Sequence, residues 1–115
     1  MLKPQEIQAI SEYLVNQGNV ELSHPYGQEL SVYSVNGVEF AYLDHSKQLV
    51  SLSLRSDPRL SQVLRAKYEE VLPAHKLNPK LWNTIVMSGQ LGFEEVSVLI
   101  DHSYSLAMAK TQQEN

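Results

Sequence analysis

Leu30-Ser31-Val32-Tyr33-Ser34-Val35-Asn36-Gly37-Val38-Glu39-Phe40-Ala41-Tyr42-Leu43 sets two strand-like runs on either side of an Asn-Gly pair. A type I′ turn needs positive φ at both central residues, which Asn tolerates and Gly adopts freely, so the stretch reads as a two-residue hairpin. The turn also predicts a register. Val35 faces Val38, Tyr33 faces Phe40 and Ser31 faces Tyr42, while Leu30, Val32, Ala41 and Leu43 share the other side with Ser34 and Glu39. Both sides carry apolar bulk, so part of each must be covered.

Downstream, a turn over residues 44–47 leads to Val50, Leu52 and Leu54 alternating with Ser51, Ser53 and Arg55, a third antiparallel strand. Asp57-Pro58 then places an N-cap and a first-turn proline at a second helix. Leu60, Val63, Leu64 and Tyr68 form its stripe, with Arg59, Arg65 and Lys67 toward solvent. Residues 71–80 read as irregular or as a short edge strand. Trp82–Met87 is a further strand, with Trp82, Thr84 and Val86 on one face and Asn83, Ile85 and Met87 on the other. The last helix spans about Phe93–Lys110, lined by Phe93, Val96, Leu99, Ile100, Tyr104 and Met108; residues 111–115 are expected to fray. Upstream, a first helix runs from Pro4 to Gln17 and stops at Gly18, and residues 19–28 read as a loop punctuated by Pro25 and Gly27. The order is α-β-β-β-α-β-β-α. Helices interrupting an antiparallel sheet predict an α+β two-layer sandwich with the helices on one face, a single domain over residues 1–115.

With 43% hydrophobic and 19% charged residues, the chain has material for one core and is not compositionally disordered. The absence of cysteine excludes disulfides and thiolate sites. No apolar run is long enough to cross a membrane, and Met1-Leu2-Lys3-Pro4-Gln5-Glu6 turns polar and acidic at once, unlike a secretory signal. A cytoplasmic protein is expected.

Catalytic residue types occur without catalytic spacing. Asp101-His102-Ser103 would point about 100° apart on successive helical positions and cannot form one relay. Asp44-His45-Ser46 suits a tight turn whose side chains satisfy local backbone. His24, His45, His75 and His102 lie in four separate segments without metal-ligand spacing, and no glycine-rich phosphate loop occurs. Glu69-Glu70 and Glu94-Glu95 read as solvated. The expectation is a non-enzyme with no cofactor and no metal.

The net charge of −4 argues against non-specific affinity for nucleic acid, but it is unevenly spread. Residues 55–80 hold Arg55, Arg59, Arg65, Lys67, Lys76 and Lys80 against Asp57, Glu69 and Glu70, a local +3 in a chain whose remainder carries −7. Lys76-Leu77-Asn78-Pro79-Lys80-Leu81-Trp82-Asn83 places lysines and asparagines beside an aromatic, a composition suited to phosphates and bases as well as to a core anchor. His24-Pro25-Tyr26-Gly27 reads either as a loop whose Tyr26 ring packs over the sheet edge or as a recognition loop.

The run Leu72-Pro73-Ala74-His75 through Trp82-Asn83-Thr84-Ile85, the late Asp101-His102-Ser103-Tyr104, His24-Pro25-Tyr26-Gly27 and Val32–Ala41 together resemble the MmcQ/YjbR family across nearly all of residues 5–110. The resemblance implies a small bacterial protein with a two-layer fold likened to frataxin and to type III secretion chaperones. It also implies a double-wing DNA-binding module, with no settled activity. Members carry a basic stretch close to Asn-Lys-Arg-His before the Trp; here Asn78 and Lys80 match it, while Pro79 and Leu81 replace a cation and a histidine.

Three functions follow as expectations. The first is weak, salt-sensitive DNA binding through Arg55, Arg59, Arg65, Lys67, Lys76 and Lys80, with Asn78, Asn83 or His24 near base edges and His24 and Tyr26 on a recognition loop. The alternative is a protein-interaction module or homodimer using an exposed sheet face that bears Tyr33, Phe40 and Tyr42 or the opposite set. The third is a small-ligand cleft around His24, Tyr26, His75 and Trp82. No membrane partner is expected.

Overall fold

The computed structural model describes residues 3–113. Its elements are α1 (Pro4–Val15), β1 (Val20–Ser23), β2 (Leu30–Val35), β3 (Val38–Asp44), β4 (Ser51–Arg55), α2 (Pro58–Lys67), β5 (Val71–Pro73), β6 (Trp82–Val86) and α3 (Phe93–Gln113). The six strands make one antiparallel sheet in the order β1-β2-β3-β4-β6-β5. Together with the helices it forms the α+β arrangement that the residue pattern predicts.

Asn36 (φ 51°) and Gly37 (φ 80°) supply the two left-handed residues of the β2–β3 turn. Val35 pairs with Val38 as predicted, and then the register changes. Ser34 pairs with Glu39 but Tyr33 pairs with Ala41, Val32 with Tyr42 and Ser31 with Leu43. Phe40 is the extra residue of a β-bulge, which offsets every pair beyond it by one. Phe40 and Ala41 are consequently both buried in the core, together with Tyr33, Val35 and Leu43. Tyr42 and Val32 stand on the opposite side. The predicted face of Tyr33, Phe40 and Tyr42 is therefore not a surface, because two of its three rings lie inside the protein.

The covered side continues through Leu52 and Leu54 of β4, Asn83 and Ile85 of β6 and Val71 of β5, against Ile10 and Leu14 of α1 and Val96, Ile100 and Ala107 of α3. The alternation predicted for residues 82–87 holds: Asn83, Ile85 and Met87 are buried on this side, and Trp82 belongs to the other.

Four segments differ from the predicted pattern. Val20–Ser23 is a strand, β1, inside the stretch read as loop, and it pairs with Ser23 opposite Val32 and Val20 opposite Val35. Helix α1 ends at Val15 with Asn16 as C-cap, while α3 continues through residues 111–113; the fraying expected for residues 114–115 falls outside the described residues. In α2, Val63 is 59% exposed and Ser61 is buried, so the inward stripe is Ser61, Leu64, Arg65 and Tyr68. Arg65 turns in because acceptors await it there. Asp57 caps α2 as predicted, accepting from Arg59 N at 2.8 Å and Leu60 N at 3.4 Å.

Candidate functional site

Three of the residues nominated for nucleic-acid contact are engaged within the protein. Asn83 is buried; its Nδ2 donates to Ser61 Oγ at 3.2 Å and its Oδ1 accepts from Arg65 Nε at 2.8 Å. Arg65 Nη2 donates to the carbonyls of Pro79 and Trp82. This guanidinium is a bracket between α2 and the start of β6. Arg55 donates from Nε to the Glu39 carbonyl and lies 4.7 Å over the Trp82 ring centroid. Burial draws its pKa down, partly offset by the charges of Glu39 and Tyr42.

The other five, Arg59, Lys67, Lys76, Asn78 and Lys80, are exposed. Lys67 lies over its neighbour Tyr68, 5.2 Å from the ring centroid. Lys76, Asn78 and Lys80 belong to the β5–β6 loop, residues 74–81, which is tied down at several points. Ala74 N donates to the Trp82 carbonyl, Leu81 N and Trp82 N both donate to the Asn78 carbonyl, and Asn78 Oδ1 accepts from Lys80 N at 3.0 Å. With Arg65 gripping Pro79 from behind, the loop presents its two lysines on a fixed backbone. The Asn78 side chain is spent on the turn, so its main role is to shape the loop.

The sheet face away from α1 and α3 carries a second grouping. Tyr42 and Trp82 meet edge to face with centroids 5.5 Å apart, and Arg55 covers Trp82. Trp82 is 6% exposed, so it is an anchor for this face and not for the main core. Ser53 and Thr84 share a hydrogen bond of 2.8 Å beside it. Tyr42 has a raised pKa, first from burial and then from the charges of Glu39 and Tyr26. Tyr26 is 72% exposed. Its loop is nonetheless closed by Gly27 N to the His24 carbonyl, Leu30 N to the Gly27 carbonyl, and His24 Nε2 against Ser31 Oγ at 3.2 Å. At the end of β3, burial alone would raise Asp44, but hydrogen bonds from Ser46 and the charges of Lys47 and Lys76 bring its pKa below the ordinary carboxylate value. Lys76 thus links the basic loop to this face.

The four consecutive residues Asp101-His102-Ser103-Tyr104 address four different parts of the protein. Asp101 Oδ1 accepts from Tyr13 Oη at 2.6 Å, and His102 Nε2 accepts from Asp57 N at 3.1 Å. Ser103 bridges β3 and β4, and Tyr104 Oη donates to the Gly18 carbonyl at 2.8 Å. Their 100° separation makes them staples in four directions. Asp44-His45-Ser46 is the predicted local turn, with Ser46 N donating to Asp44 Oδ1 at 2.8 Å. Glu70 is a correction: it is buried, not solvated, and its carboxylate accepts from Ser88 N and Oγ, Gln90 N and Leu91 N. An adjacent acid pair gave no signal of this, because the donors come from a loop twenty residues away.

Among the described residues no three His, Cys, Asp or Glu side chains gather as a metal site requires. A small cavity of about 10 Å³ lies between the sheet, α2 and α3, bounded by Arg55, Ser56, Asn83 and His102 among others, room for about one water molecule. It is not formed by the His24, Tyr26, His75 and Trp82 set nominated for a ligand cleft.

The family model described as YjbR matches residues 17–106. The uncharacterized protein YjbR of Escherichia coli K12 is 26% identical over 102 residues, 89% of this chain and 86% of that protein. The uncharacterized protein YbdF of Escherichia coli O157:H7 is 26% identical over 89 residues, 77% of this chain and 73% of that protein. A Deinococcus radiodurans crystal structure of the family-model domain DUF419 superposes with a TM-score of 0.83 at 22% identity, covering 96% of this chain and 85% of that one. A Pseudomonas syringae crystal structure gives 0.75 at 24% identity, with 87% and 97% covered. These two likenesses show the fold.

Proposed function

Because the chain belongs to the YjbR family, we propose on that premise that it is a non-enzymatic, cytoplasmic nucleic-acid-binding module that meets duplex DNA with the loop of residues 74–81. The observation that carries the reading is the Arg65 bracket. A half-buried cation spends its donors on the carbonyls of Pro79 and Trp82, holding Lys76 and Lys80 outward on a backbone already ordered. A preordered loop avoids the entropy cost of fixing lysine-bearing backbone on contact. Phosphates are met well by such ammonium groups. The substitution of a cation and a histidine by Pro79 and Leu81 lowers the charge available and makes the binding weak.

Fluorescence anisotropy with a labelled duplex tests this. The duplex binds at low salt and is released as salt rises, and joint replacement Lys76→Ala and Lys80→Ala weakens binding without altering thermal stability. A duplex that does not bind at low salt overturns the reading and leaves a protein partner as the alternative.

A further inference from the structure

We infer that His102 is a pH-sensitive clasp on the start of α2, which releases the first turn of that helix when its imidazole takes up a proton. The half-buried ring stands on α3 and reaches the β4–α2 junction, where Nε2 accepts the backbone N–H of Asp57 at 3.1 Å. A backbone N–H can only donate. Nε2 must therefore offer its lone pair, and the neutral ring carries its one proton on Nδ1. Protonation puts a second N–H on the ring, so the clasp then sets donor against donor and the Asp57 N–H loses its acceptor. Imidazole is the side chain whose ordinary charge change falls between pH 5 and 8, so a contact of this kind answers to modest acidification.

The residue that loses its acceptor also carries the group that responds. Asp57 Oδ1 caps α2 by accepting from Arg59 N at 2.8 Å and Leu60 N at 3.4 Å. An imidazolium beside Asp57 offers this carboxylate a charged donor in place of two neutral ones. Taking it leaves Arg59 N and Leu60 N without their cap. The other charged groups nearby are committed or face away. Arg55, at the end of β4, lies over the Trp82 ring with Glu39 of β3 beside it. Asp101, the neighbour of His102 on α3, accepts from Tyr13 Oη and Gln17 Nε2, and Arg59 is exposed. One turn further along α2, Ser61 Oγ accepts from the buried Asn83 and Arg65 donates to the same side chain. These bonds stop the loosening at residues 57–60, so the clasp is a local switch and not the start of unfolding.

NMR spectra of the whole chain, recorded in steps between about pH 8 and pH 5, test this. At the upper end, ring-nitrogen spectra are expected to show His102 with its proton on Nδ1. As the pH falls, the amides of Asp57, Arg59 and Leu60 shift together at the midpoint of the His102 ring, the last two toward random-coil positions. The Tyr68 amide, bonded to the Leu64 carbonyl at the far end of α2, does not follow. His102→Gln supplies an oxygen that accepts the Asp57 N–H at every pH, and the three amides cease to titrate with it. Asp57→Asn keeps a capping oxygen without the charge, so the Asp57-position amide still moves while Arg59 and Leu60 stay. A neutral ring protonated on Nε2, or a ring that takes up no proton across the range, overturns the inference. So do the three amides if they are indifferent to the His102 titration, or if they titrate undiminished in His102→Gln. Movement of Arg59 and Leu60 that persists in Asp57→Asn overturns the part played by the carboxylate.

Discussion

Ser103 Oγ accepts the Arg55 backbone N–H at 2.8 Å and donates to the Phe40 carbonyl at 2.5 Å, so one hydroxyl from α3 closes the gap that the bulge opens between β3 and β4. The β3–β4 ladder reaches only to Ala41 opposite Leu54. Beyond it, the buried Phe40 carbonyl and the part-buried Arg55 N–H are met by Ser103 instead. The helix meets the sheet at this point through a hydrogen bond that the sheet itself cannot make.

Ser103→Ala is therefore expected to cost about 2–4 kcal/mol, the combined penalty of a buried carbonyl and a part-buried N–H left unpaired. Ser105, exposed two positions along the same helix, is the control, and Ser105→Ala stays within about 0.5 kcal/mol of the parent. Urea denaturation measures both. A midpoint shift at constant slope identifies a pure stability loss.

Glu70 makes a similar demand with the polarity reversed. Its buried carboxylate accepts from Ser88 N at 3.2 Å and Gln90 N at 3.3 Å, as well as from Ser88 Oγ and Leu91 N. Glu70→Ala removes the carboxylate that accepts from Gln90 N and Leu91 N and costs about 3 kcal/mol. Glu70→Gln keeps the shape but turns an NH₂ toward N–H donors, and falls between the two. Amide exchange at Leu91 reports the change locally, and should accelerate in both variants more than exchange at Ile100.

Asp44 gives the acid limb a definite sign. Burial raises its pKa, but the Ser46 hydrogen bonds and the charges of Lys47 and Lys76 outweigh this and leave it lowered in the folded state. A folded pKa below the unfolded one means that the unfolded chain binds the proton first. The contribution is complete above the ordinary carboxylate pKa of about 3.9 and fades as the pH falls through the folded value. Asp44→Asn should flatten the loss of stability below about pH 4 and leave the slope near neutrality unchanged, as read from denaturation midpoints over a pH series.

The turn at Asn36-Gly37 is legible because two adjacent residues dictate it, and the N-cap at Asp57 for the same reason. The bulge at Phe40 is not, since the group that satisfies it is Ser103, 63 positions along the chain. Strand β1 escapes notice because three of its four residues are exposed, so no apolar alternation marks it, and its existence depends on pairing with β2. On the site, exposed Lys76 and Lys80 follow from charge and turn residues alone. The inward turn of Arg65 does not. A cation on a helix reads as solvated until the carbonyls of Pro79 and Trp82 are placed opposite it.

The inward arginine also bounds the salt dependence. Arg65 is committed to the loop and Arg55 to Trp82 and Glu39, which leaves Arg59, Lys67, Lys76 and Lys80 to neutralise duplex phosphates. Each phosphate contact contributes about −0.9 to the slope of log K against log salt, so four cations cap the slope near about −3.6. Lys80→Ala and Lys76→Ala should each remove about one from its magnitude while weakening all duplex sequences alike. Arg65→Lys tells positioning from charge. It keeps the cation but loses the guanidinium that grips Pro79, Trp82 and Asn83 together. Affinity should fall as the loop loosens, and the number of phosphates met by Lys76 and Lys80 should fall with it. An Arg65→Lys protein that binds duplex with unchanged affinity and slope shows that the bracket does not prepare the loop for its partner.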